Sequence, residues 1–278
     1  MNWRNVFIIA KKDWIEVRQN KYALVAMLIV PAIFLFILPL VFTTILPALA
    51  VDPQDVMSSD ADLDVFINSM PAELKAYIDF QKPMESMIIV MLGFMFAPMF
   101  LIMPLMFATT IAAESFAGER ERKTLEALLY TPASDADLFV GKVTASAIPS
   151  IGISWVGFLI YTVILNLAPY QYFQRIWFPL PTWWPLIFWI TPALVVMGIA
   201  LSVIISAKVQ NFLGAYQTSS AMVLVVVLLF AGQLSGVLYL SVGVELALGA
   251  IFWLVALVLG RTAIKGFNRH ALLTGKQG

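Results

Sequence analysis

Ser86–Ala113 reads SMIIVMLGFMFAPMFLIMPLMFATTIAA, twenty-eight residues without a charge. A helix crosses a bilayer in about 20 apolar residues, and a charge at its centre costs roughly 2.5–3.5 kcal/mol on insertion scales. The run is continuously apolar, without the period-two alternation of a membrane barrel strand. Outward from it the pattern repeats. Tyr22–Ala50, Val143–Gln174 and Ile176–Ala207 are also charge-free, and Val209–Gly260 carries one charge, Glu245, over a length that suits two crossings. The break between those two is expected at Tyr239–Glu245, where Ser241 and Gly243 can turn. The chain of 278 residues is 61% hydrophobic and 12% charged, with mean hydropathy +0.88, against about 25% charged residues in a soluble domain. The expected fold is an all-α integral membrane protein with six transmembrane helices over 22–50, 87–113, 143–168, 184–206, 215–238 and 242–260.

Lys and Arg set the orientation of such a chain. Fourteen of the seventeen lie in 1–21, 114–142, at Lys208 or from Arg261 onward, whereas Lys75, Lys82 and Arg175 lie on the other side. With six crossings, both termini share the basic side, which becomes the cytoplasm. The loop 114–142 and the tail 261–278 are then cytoplasmic, and 51–86 is extracytoplasmic. That outer loop is acidic from Asp52 to Glu85 and carries Leu63, Phe66, Ile67, Met70, Leu74, Tyr77 and Ile78 at helical spacing, which suits short surface helices. A second outer loop holds Tyr170, Tyr172, Phe173, Trp177, Phe178, Trp183 and Trp184, residue types enriched at the membrane–water interface.

Residues 2–21 are expected to form an interfacial amphipathic helix. Trp3, Val6, Phe7, Ala10, Trp14 and Val17 share one face, and Arg4, Lys11 and Arg18 recur every seven residues on another. Between the second and third crossings stands a charged island, Glu114 to Pro132. From Glu119 to Tyr130 it has no Gly or Pro and is rich in helix formers. Leu125, Leu128 and Leu129 give it a small apolar face, and Pro132 ends it. A helix of about twelve residues is marginal alone in water, so it must dock on its own chain or on a partner. The turn around Lys208 and Asn211 is a second possible contact.

Several classes of chemistry lack their residues. There is no cysteine and a single histidine, His270, so thiolate and most histidine chemistry is excluded. Gly141-Lys142 is no phosphate loop, because Ala136 stands where the first glycine belongs and Val143 follows the lysine. Asp60, Asp62 and Asp64 start like a calcium loop, but Val65 and Pro71 occupy the glycine and glutamate positions. No catalytic, metal or cofactor residues are identified. Met84, Met87, Met91, Met95, Met99, Met103 and Met106 recur every three or four residues. Such a stripe suits soft-metal transfer or, as the preferred reading, an adaptable packing face, with Met91, Met95, Met99 and Met103 as its centre. Pro98 and Pro104 are candidate kinks in the second crossing, and Pro31, Pro39, Pro47, Pro149 and Pro192 are tolerated within spans. Gly232 and Gly236 have the spacing of a close helix contact.

Glu119-x-Glu121-x-Lys123-Thr124-Leu125-Glu126-x-Leu128-Leu129-x-Thr131-Pro132, followed by Gly141-Lys142, resembles the cytoplasmic signature of the ABC type-2 permease family. The opening Lys11-Lys12-Asp13-Trp14-x-x-x-Arg18-x-Asn20-Lys21 resembles the start of that family. Lys123 stands where many members have Gly. The resemblance covers the whole chain and implies the membrane subunit of an ATP-binding-cassette transporter, mostly exporters. Two such subunits pair, as a homodimer or with a related permease, above two separate ATPases that bind ATP and Mg. By that likeness 114–142 holds a coupling helix, with Glu119, Glu121, Thr124, Leu125, Glu126, Leu128 and Leu129 facing the ATPase. The N-terminal helix, through Trp3, Phe7, Lys11, Trp14 and Arg18, lies on the membrane and steadies the contact. The expected setting is a prokaryotic plasma membrane, with the lipid bilayer as partner and no nucleic acid. Two other classes are weighed against this one: an ATP-independent secondary carrier or channel, for which only Glu245 lies near a span, and an intramembrane lipid-modifying enzyme, which needs clustered polar groups that the spans lack.

Overall fold

A computed structural model describes residues 3–19, 25, 29, 32–45, 75–79, 81–124, 134–209 and 211–266. The described chain is helical. Helix α1 is Trp3–Gln19, α2 covers 32–45, and α3 covers 83–95. Helix α4 is Ala97–Glu121, α5 is Asp135–Leu167, α6 is Trp183–Lys208 and α7 is Phe212–Leu234. Val242–Gly266 forms α8.

Five of these, α4 to α8, are long and apolar enough to cross a membrane. They overlap the second to sixth expected stretches. The first, 22–50, is described at Val25, Ile29 and 32–45, all helical. The acidic segment 51–74 and the tail beyond Gly266 also lie outside them. Helices α4 and α6 are apolar all round and mostly buried by other helices, the pattern of core spans, whereas α5, α7 and α8 bury a minority of their surface. Their outward residues, such as Leu159 on α5, Leu228 on α7 and Leu254 on α8, are apolar and exposed, as lipid-facing positions must be.

The second crossing is not one regular helix over 87–113. It runs as α3 and α4 with a bend at Phe96, just before Pro98, and residues 89–95 are π-helical. That geometry frees backbone carbonyls that lipid cannot satisfy. Side chains from three other segments satisfy them in sequence. Tyr161 Oη donates to the Leu92 carbonyl at 2.9 Å, Trp183 Nε1 to Gly93 at 2.7 Å, and Gln233 Nε2 to Phe94 at 2.7 Å.

The aromatic outer loop is only partly an interfacial belt. Tyr170 and Trp184 are exposed, but Phe173, Phe178 and Trp183 are buried. Trp183 stacks on Tyr161 and Phe158 at 5.2 and 5.9 Å between ring centroids. The four central methionines, Met91, Met95, Met99 and Met103, pack into the same core, with Met95 and Met103 fully inside it.

The break before the last helix falls earlier than Tyr239–Glu245. Helix α7 stops at Leu234, Gly236 adopts φ 71°, and α8 starts at Val242. A positive φ is open to glycine at little steric cost. The carbonyl of Gly232 accepts from Val237 and Leu238 N–H at 3.1 and 2.9 Å. The Gly232–Gly236 pair therefore ends a helix here. Glu245 sits in the first turn of α8 and is fully buried.

Helix α5 has 33 residues, about 50 Å at 1.5 Å per residue, against a hydrocarbon core of roughly 30 Å. It therefore projects from the bilayer. A capping box starts it: Ser134 Oγ accepts from Asp137 N at 3.1 Å, and an Asp137 carboxylate oxygen accepts from Ser134 N at 3.3 Å. Beside this projecting end lie α1 and the charged end of α4.

Candidate functional site

The charged island is not a solvated interruption between spans. Its first part, Glu114 to Glu121, continues α4, with Glu114 and Glu119 buried. The helix expected over 119–130 is broken at Arg122–Lys123, where Lys123 takes φ 57°. An L-residue pays about 1–2 kcal/mol for that conformation and glycine does not, which accounts for the glycine that the resembling family places there. Thr124 is exposed, and its hydroxyl donates to the Glu119 carbonyl at 3.2 Å. Leu125, Glu126, Leu128 and Leu129 lie outside the described residues.

At the centre is Lys142, on the second turn of α5 and 0% exposed. Its ammonium donates to Glu119 Oε2 at 2.6 Å, to the Ser115 carbonyl at 2.7 Å, to Ser115 Oγ at 3.2 Å and to Asp13 Oδ2 at 3.3 Å. It also lies 5.5 Å from the centre of the Phe116 ring. The Ser115 hydroxyl donates a hydrogen bond to Asp13 Oδ2. Asp13 Oδ1 makes no hydrogen bond, yet it lies 3.4 Å from Lys12 Nζ, an ion-pair distance. Lys12 also pairs with Glu119 Oε1 and, at 3.1 Å, with Glu16 Oε2. Arg122 joins from the rim through Glu114 Oε1 at 2.7 Å and Glu16 at 3.8 Å. Carboxylate oxygens of Asp13, Glu16 and Glu119 approach within 4.8 Å of one another. Lys12 and Lys142 supply the positive charge that lets them do so.

Burial pulls the Lys12 ammonium down, but the adjoining Glu119 carboxylate, with Asp13 and Glu16, outweighs it and holds the group above its ordinary value. For Arg122 burial likewise lowers and Glu114 more than restores, so the guanidinium is raised. Both groups are held charged by their partners.

Gly141 explains how α1 comes this close. A Cβ there would lie 2.9 Å from the Ile9 Cβ and 3.3 Å from the Val6 carbonyl. The backbones of α1 and α5 therefore touch beside Lys142. The face of α1 turned inward is Val6, Ile9, Asp13 and Val17, all buried. The sequence pattern had grouped Val6 and Val17 with Trp3 and Phe7. These two rings are instead 69% exposed, and the buried stripe turns on Asp13, which an apolar count passes over. Lys11 is exposed, Trp14 is half-buried, and the Arg18 side chain lies outside those described.

The island's other side grips the turn between α6 and α7. Arg120 Nη1 donates to the Ser206 and Ala207 carbonyls at 3.0 and 2.9 Å, the unsatisfied end of α6. Glu121 Oε2 accepts from Phe212 N at 2.8 Å, and Asn211 caps the same helix by accepting from Gly214 N at 2.9 Å. Four separate segments, 12–13, 114–122, 141–142 and 206–212, thus meet at one end of the bundle. Sequence reading singled out Lys12, Asp13, Glu119 and Gly141-Lys142 as motif positions. It had no signal that they touch, and it missed Glu16, Ser115, Arg120 and Arg122.

Fold and site together define a multi-pass helical membrane protein whose N-terminal helix is fastened by buried charges to the ends of two spans. Residues 7–251 match the ABC-2 family transporter protein family. The chain belongs to that family, whose members are membrane components of ATP-binding-cassette transporters. No curated protein matches the chain.

Proposed function

We infer that the chain is the permease subunit of an ABC exporter and works as a homodimer on two separate ATPase subunits that bind ATP and Mg. Both termini and the island are assigned to the cytoplasm of a prokaryotic plasma membrane by the excess of Lys and Arg on that side. The ATPase docks on the segment that follows Lys123, through Thr124, Leu125, Glu126, Leu128 and Leu129, with Glu121 and the Asn211 turn beside it. Glu119 has a different part. It lies behind the docking segment and joins it to α1 and α5 through Lys12 and Lys142.

The observation that carries this reading is the convergence of the four segments on Lys142 and Arg120. A push on the island reaches α1, α4, α5 and the α6–α7 turn through the hydrogen bonds of Lys142, Arg120 and Glu121. Rigid-body displacement of packed elements is how such a push becomes a change of access. Replacing Glu126 or Leu129 is expected to reduce recovery of the ATPase subunit with the permease at least severalfold, and to reduce ATP-driven transport, with membrane insertion unchanged. Unaltered recovery and transport in both variants would remove the docking assignment.

A second reading has one observation behind it. Both carboxylate oxygens of Glu245 are buried without a hydrogen-bond partner, and ion-coupled carriers place acids within their spans. Transport by the reconstituted chain in the absence of ATP and of any ATPase, lost in Glu245→Gln, would favour it over the ABC cycle.

A further inference from the structure

Helix α1 has a second side that the charge cluster does not use. Between α1 and α5 lies an open groove of about 560 Å³, lined by Phe7, Ala10 and Trp14 on α1 and by Ala145 and Ile148 on α5, with Lys11 on its rim. The volume falls within the roughly 300–1,000 Å³ of small-ligand sites. The walls are apolar, and no lining residue is acidic. The acids of α1, Asp13 and Glu16, point the other way and are held by Lys12, Lys142 and Arg122. Consecutive lysines therefore do different things: Lys12 is drawn into the cluster, and Lys11 stays exposed over the groove. Phe7 and Ile148 are exposed apolar side chains beside it, and Trp3 and Trp14, of a residue type enriched at the membrane boundary, line the same groove.

We propose that this groove seats one acyl chain of an anionic glycerophospholipid, with Lys11 binding the headgroup phosphate. The apolar walls take the chain out of water contact, and the exposed Lys11 ammonium, in a groove with no acidic lining residue, supplies the charge that selects an anionic headgroup. The site needs only a bilayer around the chain, and an ATPase partner plays no part in it. It therefore stands or falls independently of the docking segment.

The test is lipid retention measured by native mass spectrometry on the detergent-purified chain, with phosphatidylglycerol or phosphatidylcholine of matched acyl chains added. One phosphatidylglycerol per chain should be retained in preference to phosphatidylcholine. Lys11→Gln should weaken that retention by roughly fivefold, the contribution of one cation near a membrane surface. Ile148→Trp, which fills the groove at an exposed position, should also weaken it. Both positions lie on the outside of stable helices, so helical circular dichroism should stay unchanged. Equal retention of the two lipids, or no effect of Lys11→Gln, overturns the site. So does an effect of Lys11→Gln without one of Ile148→Trp, because the headgroup is then held with no chain in the groove. Soluble glycerol phosphate that competes as well as the lipid has the same meaning. If an added ATPase subunit shields Lys11 from acetylation and lipid does not, the groove belongs to the protein partner.

Discussion

Lys142 has no water to fall back on. It is completely buried, and four oxygens on three residues surround its ammonium. Desolvating such a group costs several kcal/mol, which only near-complete pairing offsets. Removing one partner of a buried pair typically costs about 3–5 kcal/mol, because the other charge is left without compensation. Lys142→Met keeps most of the length of the side chain and removes its charge, leaving Asp13 and Glu119 to share Lys12. It is expected to be the most destabilising single change at this end of the molecule, read as a fall in the thermal unfolding midpoint in detergent. Adding Glu119→Gln to Lys142→Met should recover part of the loss, since only Asp13 and Glu16 then draw on Lys12. If the double variant is less stable than Lys142→Met alone, the penalty arises from lost packing and the charge account is wrong. Lys142→Arg should fall between wild type and Lys142→Met, because the guanidinium is charged but planar and larger than the site of an ammonium.

At the scale of one element, α1 is held by Gly141, which admits its backbone, and by Lys12, which fixes its charge. The folded-state value of Lys12 is raised above its ordinary 10.5 by Glu119, against the opposing effect of burial. A raised value means that the protonated group favours the folded state. The stabilisation is therefore fully present below about pH 10.5 and is lost as pH climbs through the higher folded value. The gap in unfolding midpoint between wild type and Lys12→Gln should hold steady from pH 7 to about pH 10 and narrow above the ordinary lysine value of about 10.4. A gap that narrows already between pH 7 and pH 9 would show that another group controls the attachment.

The same element shows what a sequence does and does not display. Five of the six expected crossings were legible because hydrophobicity is a sum over about 20 residues and survives local detail. The carbonyls held by Tyr161, Trp183 and Gln233 and the inward turn of Asp13 were not legible, because each depends on a partner 69 to 139 residues away, whereas the bend at Phe96 was signalled by Pro98 two residues on. The helix break at Lys123 was half legible. A lysine reads as a helix former, and only the resembling family's glycine marked the position as one needing φ > 0.

Over the whole molecule, the island end is one body assembled from four stretches of chain. Asp13, Ser115 and Glu119 share the Lys142 ammonium, and Arg120 and Glu121 extend the assembly to the α6–α7 turn. Interactions that share a buried group fail together, so their segments should open as one unit. Hydrogen exchange on the purified protein distinguishes that case from a set of independent pairs. In wild type the amides of 3–19, 114–121 and 135–147 should show similar protection. Lys142→Met should accelerate exchange in all three by a comparable factor while the middle of α8, at 250–260, is unchanged. Acceleration confined to 135–147 would mean that the cluster is a collection of separate contacts, each able to open alone. A motion arriving at Thr124 would then stop at α4. A shared acceleration means that α1, α4 and α5 answer to one ammonium, and a push on the segment after Lys123 must be felt at the groove on the far side of α1.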